Sequence, residues 1–274
     1  MGVWTIVEDR TEALDNLDFE TFKHKVRLAY GMDLEACKRQ QMERRLRTAM
    51  MNCGASTFLQ YYNVLQSDSA LLEEFVDRVT TNMSELFRNP EQFETLGAKI
   101  LPDLYARNPN LSIWSAGCCH GAEAYTLAVL VEELLPPGSH RILATDIDDN
   151  MLARAESGVF HEQEMRNVSK SRIAKHFDRQ SDNYAAKSAL RGWITCRKHN
   201  LLEDPFETGF DLILCRNVVV YFTEEAKSAL YDRFFQSLRP GGYLFVGGSE
   251  RIRDYAARGF ANPLPFFYNK AQPS

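Results

Sequence analysis

The sequence predicts an α/β protein in which an all-helical N-terminal domain precedes a mostly parallel sheet covered by helices on both faces. Apolar residues recur at helical spacing from residue 17 to about 106, whereas short apolar runs alternate with helical segments from residue 111 onward. The interval 158–197 is polar and breaks this alternation, which predicts a small inserted antiparallel subdomain. A length of 274 residues accommodates two domains.

Five apolar stripes predict the helices of the first part, and the stripe of the first helix is Phe19, Phe22, Val26 and Tyr30. Asp18 is the candidate N-cap of the first helix. The second helix is predicted from about Leu34 to Met51, with Met42, Leu46 and Ala49 on its buried side. The other stripes are Phe58, Tyr62 and Leu65; Leu72, Phe75, Val76 and Val79; and, after Pro90, Phe93, Leu96, Ile100 and Leu104.

Four apolar runs predict buried parallel strands, at 111–116, 141–145, 210–215 and 243–246. Helices are predicted to begin near Ala122, Asp149 and Thr223. We therefore assign residues 1–86 to the helical domain, with an interdomain segment to about 97. Residues 98–274 form the sheet domain, which contains the insertion at 158–197.

Composition limits the possible partners. A net charge of -5 and a pI near 5.8 argue against a general binder of nucleic acids or membrane surfaces. The six cysteines lack zinc-site spacing, and no signal segment or apolar run of roughly 18 residues occurs. We expect a cytoplasmic monomer without a metal site, nucleic-acid binding or membrane insertion.

The first strand of the sheet leads into a turn that contains Gly117 and Gly121, followed by a helix. Such a turn exposes backbone N–H groups to a ligand, although it can also be only a tight turn. The second strand ends at Asp146, where nucleotide-binding sheets place a carboxylate that accepts both ribose hydroxyls. An N-cap role is the alternative, but Asp148 and Asp149 are better placed to cap the next helix. The spacing of the glycines favours an adenosine-type ligand over a dinucleotide.

Three segments, at residues 80–88, 115–128 and 214–222, together resemble one family, the CheR-type chemoreceptor methyltransferases. Residues 80–88 (TTNMSELFR) are similar to its Thr-x-Asn-x-Thr-x-Phe-Phe-Arg segment. Residues 115–128 (SAGCCHGAEAYTLA) resemble its Ser-Ala-Gly-Cys-x-x-Gly-Glu-Glu-Pro-Tyr-x-x-Ala loop and helix, and residues 214–222 (LCRNVVVYF) its Cys-Arg-Asn-x-x-x-Tyr-Phe signature. The resemblance runs from about residue 19 to 270 in the family's order.

The resemblance implies a Rossmann-like class I methyltransferase domain that uses S-adenosylmethionine (SAM) and releases S-adenosylhomocysteine. Arg88 and Tyr221 are the implied catalytic residues, with Tyr221 near the substrate pocket. The implied cofactor-binding residues are Asn82, Ser84, Arg88, Gly117, Glu123, Asp146, Asn200, Leu201, Arg216 and Asn217.

The implied reaction is methyl esterification of glutamate side chains on the cytoplasmic domain of methyl-accepting chemoreceptors, with recruitment of the enzyme to receptor arrays. Residues 21–51 hold eight basic and three acidic side chains, which suits an acidic helical substrate. The candidate substrate-binding residues are Lys38, Arg44, Arg45 and Arg47. Alternatives are a class I methyltransferase for another protein or a small molecule, and a regulatory SAM-binding module. We expect the compact insertion not to dock a receptor peptide.

The sequence departs from the family pattern at several positions around the glycine turn. Ser84 replaces a threonine, Ala122 a glutamate and Ala124 a proline. Cys119 and His120 stand where small polar residues are commoner. We expect His120 to face solvent and the vicinal Cys118 and Cys119 to be inert.

Overall fold

The structure, a computed structural model, describes residues 3–30, 32, 34, 39–80, 84–138 and 140–271. Within these ranges the side chains at 3–16, 39–41, 73, 77, 78 and 80 are not described. The chain forms two compact units. The first comprises residues 1–81 with Tyr221–Thr223, and the second comprises Asn82–Val220 and Glu224–Ser274.

The first unit is helical, as the stripes predict. Its helices are α1 (Val3–Tyr30), α2 (Arg39–Asn52), α3 (Phe58–Ser67) and α4 (Ser69–Thr80). Aromatic side chains form its core: Phe58 lies 4.7 Å from Phe19 and 5.4 Å from Phe22, measured between ring centroids. The Phe75 ring packs edge-on against Phe22. The apolar stripe of α2 is buried as expected.

Asp18 does not cap the first helix, because α1 begins at Val3 and Asp18 lies inside it. Its carboxylate instead accepts the backbone N–H groups of Phe58, at 2.5 Å, and Leu59, at 3.1 Å. These donors lie in the first turn of α3, whose N–H groups have no partner within the helix. Asp18 therefore joins two helices of the unit.

The second unit opens with one long helical segment, predicted from Pro90 onward. Helix α5 (Pro90–Thr95) continues through a π-helical turn (Leu96–Ile100) into α6 (Leu101–Arg107). Pro102 lacks an N–H and its ring would clash with the carbonyl four residues earlier, which explains the wider turn before it.

The main sheet has seven strands in the order β6-β2-β1-β7-β8-β10-β9. Strands β6, β2, β1, β7 and β8 pair in parallel, whereas β10 is antiparallel to both β8 and β9. The strands are β1 (Ser112–Ala116), β2 (Arg141–Asp146), β6 (Ile194–Lys198), β7 (Phe210–Cys215), β8 (Leu238–Val246), β9 (Phe260–Leu264) and β10 (Phe267–Lys270). The helices beside them are α7 (Ala122–Leu134), α8 (Asp149–Ser157) and α11 (Glu224–Ser237). The predicted α/β class is confirmed.

The inserted subdomain is a three-stranded antiparallel sheet in the order β3-β5-β4. It contains β3 (Val159–His161), α9 (Lys170–His176), β4 (Phe177–Gln180), β5 (Asn183–Ala186) and α10 (Ser188–Arg191), with a 3₁₀ turn at Glu162–Met165. The interval predicted as inserted ran to residue 197, but β6 pairs with β2 in the main sheet. Because β6 is an edge strand and only partly buried, its sequence carries no apolar run.

The centre of the main sheet is the core of the second unit. Every residue of β1 and of β7 is buried. The sequences of such strands are nearly continuous apolar runs. The predicted bounds of β1 and β7 are therefore correct to within one residue. Among the helices that the structure describes, none is both long and apolar enough to cross a membrane.

Candidate functional site

Most of the predicted cofactor residues lie where parallel strands of the main sheet end. Strand order reverses between β1 and β7, and ligands of open α/β sheets bind outside the carboxyl ends of the strands at such a switch point. The residues that follow these ends are Gly117 and Glu123 after β1, Asp146 at the end of β2, Asn200 and Leu201 after β6, and Arg216 and Asn217 after β7.

The loop after β1 takes a backbone conformation that glycine favours. Gly117 and Gly121 have φ angles of 74° and 88°, and Cys119 between them has 51°. The N–H groups of Gly117 and Cys118 both donate to the carbonyl of Thr145, at 2.8 Å. The loop is thereby fixed to the end of β2, and Gly121 immediately precedes α7.

Asp146 is buried at the point where the glycine loop meets β2. Its Oδ2 accepts the N–H of Cys119 at 2.8 Å, and its Oδ1 accepts the N–H of Asp148 at 3.1 Å. Burial raises the pKa of the Asp146 carboxyl above its ordinary value, and the hydrogen bonds to it act in the opposite direction. Asp148 is the N-cap of α8, where it accepts from Asn150 and Met151. The capping role thus falls on Asp148, as expected.

Glu123 and Arg216 form an ion pair in the interior of the second unit. Nη1 of Arg216 lies 2.6 Å from Oε1 of Glu123, and the Arg216 side chain has no exposed surface. Its Nη2 donates to the carbonyl of Arg88 at 3.1 Å and to Oε1 of Gln92 at 2.8 Å. The guanidinium also lies 4.6 Å from the ring centroid of Phe245. Arg216 therefore connects the end of β7 to helix α7 and to the start of α5.

Glu250 fixes the loop that follows β7, a role that was not predicted from the sequence. Its Oε2 accepts the N–H of Asn217 at 2.9 Å and that of Gly247 at 2.6 Å, and the side chain is buried. Asn217 has a positive φ of 60°, an unusual conformation that this hydrogen bond helps to maintain. Glu250 follows the strand predicted at 243–246. Its position after the end of a strand was the signal that could have identified it as a site residue.

His120 does not face solvent, contrary to expectation. It is 1% exposed, its Nδ1 lies 3.2 Å from Sγ of Cys119, and its Nε2 lies 3.2 Å from Oε1 of Glu164 in the inserted subdomain. Burial lowers the pKa of His120 from 6.5 to about 4, against the opposing effect of Glu164. Burial also raises the pKa of the Cys119 thiol to about 12 and holds the pKa of the Cys118 thiol well above its ordinary value, as expected for inert cysteines.

The remaining cofactor candidates lie in two segments. The side-chain oxygen of Asn200 accepts the N–H of Leu202 at 3.0 Å, and Arg233 donates to the carbonyl of Leu201 at 2.6 Å. Both contacts order the turn after β6. Ser84 and Arg88 belong to the segment before α5 and are partly buried. Asn82 lies outside the described residues.

The predicted substrate residues belong to the first unit. The Arg45 guanidinium lies 5.2 Å from the ring centroid of Tyr221, which is grouped with that unit. Arg47, another of these candidates, is partly buried, pairs with Glu43 at 2.7 Å and lies 5.1 Å from the ring centroid of Phe58. Arg44 is exposed. Lys38 lies outside the described part of the chain.

Comparison with known proteins identifies both domains. Residues 17–80 match the CheR methyltransferase all-alpha domain, and residues 82–262 match the CheR methyltransferase SAM-binding domain. The chemotaxis protein methyltransferase of Listeria monocytogenes is 38% identical over 254 residues, which cover 92% of this chain and 97% of that protein. That of Borreliella burgdorferi is 34% identical, covering 82% and 84% of the two chains.

Chemotaxis protein methyltransferase 1 of Pseudomonas aeruginosa is 34% identical and covers 94% of this chain and 96% of its own length. Among solved structures, the glycopeptide N-methyltransferase MtfA complexed with SAM is similar, with 12% identity, coverage of 60% and 54%, and a TM-score of 0.38. A structural similarity at this level adds nothing to the assignment. The order and extent of the two matching domains, however, agree with the fold described above. The chain therefore belongs to the CheR methyltransferase family, and its cofactor is SAM.

Proposed function

We propose that this protein transfers the methyl group of SAM to glutamate side chains on the cytoplasmic domain of methyl-accepting chemoreceptors, forming methyl esters. The observation that carries the proposal is similarity over both domains to relatives named chemotaxis protein methyltransferases. On this proposal the protein works as a monomer in the cytoplasm and is recruited to receptor arrays.

The residues at the strand ends fit SAM by their chemistry. Asp146 offers carboxylate lone pairs beyond the two that accept backbone N–H groups, and these would hold the ribose hydroxyls. The loop from Gly117 to Gly121 allows close approach of a ligand to the backbone. Asn200 and Leu201 would flank the adenine. We assign Arg216 to holding Glu123 and the segment from Arg88 to Gln92 in place.

Methyl transfer to a carboxylate needs placement more than proton removal. A glutamate side chain has an ordinary pKa of about 4.3, so it is already ionised near neutral pH and needs no general base. SAM, when bound, supplies a methyl group activated by its sulfonium. A glutamate oxygen that bonds to this methyl carbon would displace the sulfur, so the products would be a neutral ester and a thioether. Alignment in near-attack geometry can lower the barrier by about 7–11 kcal/mol in favourable cases.

Charge disappears in this reaction, which limits how the carboxylate should be held. Tight pairing with arginine would stabilise the ionised substrate more than the transition state. We assign Tyr221 to donating a hydrogen bond to the carboxylate, with the nearby guanidinium of Arg45 over its ring. Arg88 either steers the carboxylate or fixes the cofactor.

The basic surface of α2 supports an acidic protein substrate. Arg44 is exposed, and Arg45 is partly buried beside Tyr221. Opposite charge accelerates and orients the encounter with a glutamate-rich receptor helix. A methyltransferase for a small molecule would have no need for this surface, which is why the protein substrate is preferred.

The decisive experiment is incubation of the protein with methyl-labelled SAM and membranes that contain chemoreceptors. We expect labelled receptors whose label is released as methanol by mild alkali, as a carboxyl ester requires. Label that resists alkali would contradict ester formation and would favour transfer to nitrogen on another substrate. SAM binding without any transfer would favour a regulatory binding module.

Tyr221→Phe is the matched variant, because it removes only the hydroxyl. We expect slower receptor labelling with an unchanged SAM dissociation constant, measured by calorimetry. Full activity of this variant would remove Tyr221 from the substrate site without affecting the assignment of the cofactor site.

A further inference from the structure

The inserted subdomain contacts three consecutive residues of the segment that precedes α5. These contacts are the ion pair of Glu85 with Arg166, the hydrogen bond at 3.0 Å from Leu86 N–H to the carbonyl of Glu164, and the Arg172 guanidinium 4.4 Å from the ring centroid of Phe87. Arg88, a candidate cofactor residue, comes next in the chain. The insertion therefore contacts Glu85, Leu86 and Phe87, the three residues directly before Arg88.

Phe87 has an unusual backbone that its surroundings maintain. Its φ is 53°, in the left-handed region that a bulky residue rarely adopts. Its N–H donates to Oγ1 of Thr126 at 2.9 Å, and Arg172 covers its ring. Arg172 is fixed in turn by Glu133 of α7, at 2.9 Å. These contacts maintain the backbone conformation of Phe87 and therefore the direction of the backbone at Arg88.

Glu164 also reaches the glycine loop. Its Oε1 lies 3.0 Å from Arg154 and 3.2 Å from Nε2 of His120, while its backbone carbonyl accepts Leu86 N–H. His120 follows Cys119, whose N–H donates to Asp146. One residue of the insertion thus contacts both the glycine loop and the segment before α5.

We propose that the inserted subdomain positions the cofactor-binding segment from Glu85 to Arg88, and that Arg172 and Glu164 are positioning residues for methyl transfer. This inference rests on the proposed assignment of Arg88 to the SAM site. It gives the insertion a role in building the active site that does not require the docking of a receptor peptide.

The test compares Arg172→Ala with Arg179→Ala, which removes an arginine from the same subdomain. Arg179 lies over Tyr184 and donates to Ser181, so its contacts stay inside the insertion. We expect the SAM dissociation constant to rise roughly tenfold, equivalent to about 1.4 kcal/mol, in Arg172→Ala and to stay at the wild-type value in Arg179→Ala. Hydrogen exchange at Leu86 and Phe87 should accelerate only in Arg172→Ala.

Arg172→Lys serves as a graded variant, because lysine keeps a charge for Glu133 but lacks the planar face that covers Phe87. Its dissociation constant should lie between those of the wild type and Arg172→Ala. This variant also carries the test if Arg172→Ala does not fold. Circular dichroism and urea unfolding of every variant separate positioning from loss of the fold.

Arg88→Ala distinguishes failure of this inference from failure of the proposed site. If Arg88→Ala weakens SAM binding or methyl transfer while both Arg172 variants match the wild type in affinity and exchange, the positioning role is overturned and the site stands. If Arg88→Ala also leaves SAM binding and methyl transfer unchanged, Arg88 is not part of the site and the inference falls with it.

Discussion

Arg216 and Glu123 are 93 residues apart in the chain, yet their charged atoms lie 2.6 Å apart in the interior of the SAM-binding domain. The same guanidinium binds the carbonyl of Arg88 and the side chain of Gln92. The pair therefore links the helix after the glycine loop, the end of β7 and the segment that carries Arg88. The three segments that resemble the family signature are thus in contact through one guanidinium.

Glu123→Gln should be strongly destabilising. The substitution leaves the buried Arg216 charge without its partner, and breaking one side of a buried ion pair typically costs about 3–5 kcal/mol. Urea unfolding measures the loss. Glu225→Gln, at an exposed position in α11, is the control and should change the free energy of unfolding by roughly 0.5 kcal/mol or less. Equal stability of both variants would show that the pair contributes little.

Asp146→Asn should weaken SAM binding while the domain stays folded. The amide keeps one oxygen that can accept the N–H of Cys119, but it loses the charge and replaces the oxygen that accepts the N–H of Asp148 and is available to the ribose. Hydrogen bonds to a charged group contribute about 1.5–3 kcal/mol, so calorimetry should detect a loss of roughly ten- to 150-fold in affinity.

Asp149→Asn is the matched control for Asp146→Asn. Asp149 lies three residues further along, is exposed and pairs with Lys198 at 2.5 Å. Loss of the Asp149 charge should leave the SAM dissociation constant unchanged. A wild-type dissociation constant in Asp146→Asn, with wild-type thermal stability, would remove Asp146 from the site.

The sequence predicted the centre of the sheet better than its edges, for a physical reason. Strands β1 and β7 are buried on both faces and are therefore mostly apolar, whereas β6 contains only partly buried and exposed residues. Glu250 and Glu164 escaped prediction because their roles come from long-range contacts with Asn217 and Leu86. The burial of His120 was not predicted for the same reason, because His120 contacts Glu164, which is distant in the sequence.

His120 should make stability depend on pH below 6.5. Its pKa is about 4 in the folded protein and near 6.5 when unfolded, so the unfolded chain binds more protons between these values. The stability that neutral His120 contributes is complete above pH 6.5 and is lost as pH falls toward 4. At 1.36 kcal/mol per pKa unit, the loss reaches about 3 kcal/mol.

The measurement is the free energy of unfolding of His120→Asn and the wild type at several pH values. Asn does not titrate, so the wild type should lose more stability than the variant on acidification. The groups beside the ring are Glu164, Arg154, His161 and Cys119, and all remain in the variant. His24→Asn, at an exposed position, should follow the wild type. Parallel curves for His120→Asn and the wild type would contradict a buried neutral histidine.

Arg44→Glu should lower receptor methylation and leave SAM affinity near the wild-type value. Arg44 is exposed on α2, whereas Arg47 is engaged by Glu43 and Phe58, so reversal of Arg44 tests the surface charge without disturbing packing. Arg253→Glu changes the net charge by the same amount on the other unit, where the arginine side chain is 84% exposed. This control should methylate receptors normally if the α2 surface is the part that recognises the substrate.

Salt gives an independent measurement of the same surface. The Debye length falls from about 10 Å at 0.1 M salt to about 3 Å at 1 M, so attraction between α2 and an acidic receptor helix should weaken. Wild-type methylation of receptors should therefore fall with salt more steeply than SAM binding does. Arg44→Glu should begin lower and respond less, because part of the attraction is already absent. If receptor methylation does not change with salt or with the charge reversal, the basic residues of α2 do not contribute to substrate recognition. Another surface of the protein then recognises the receptor.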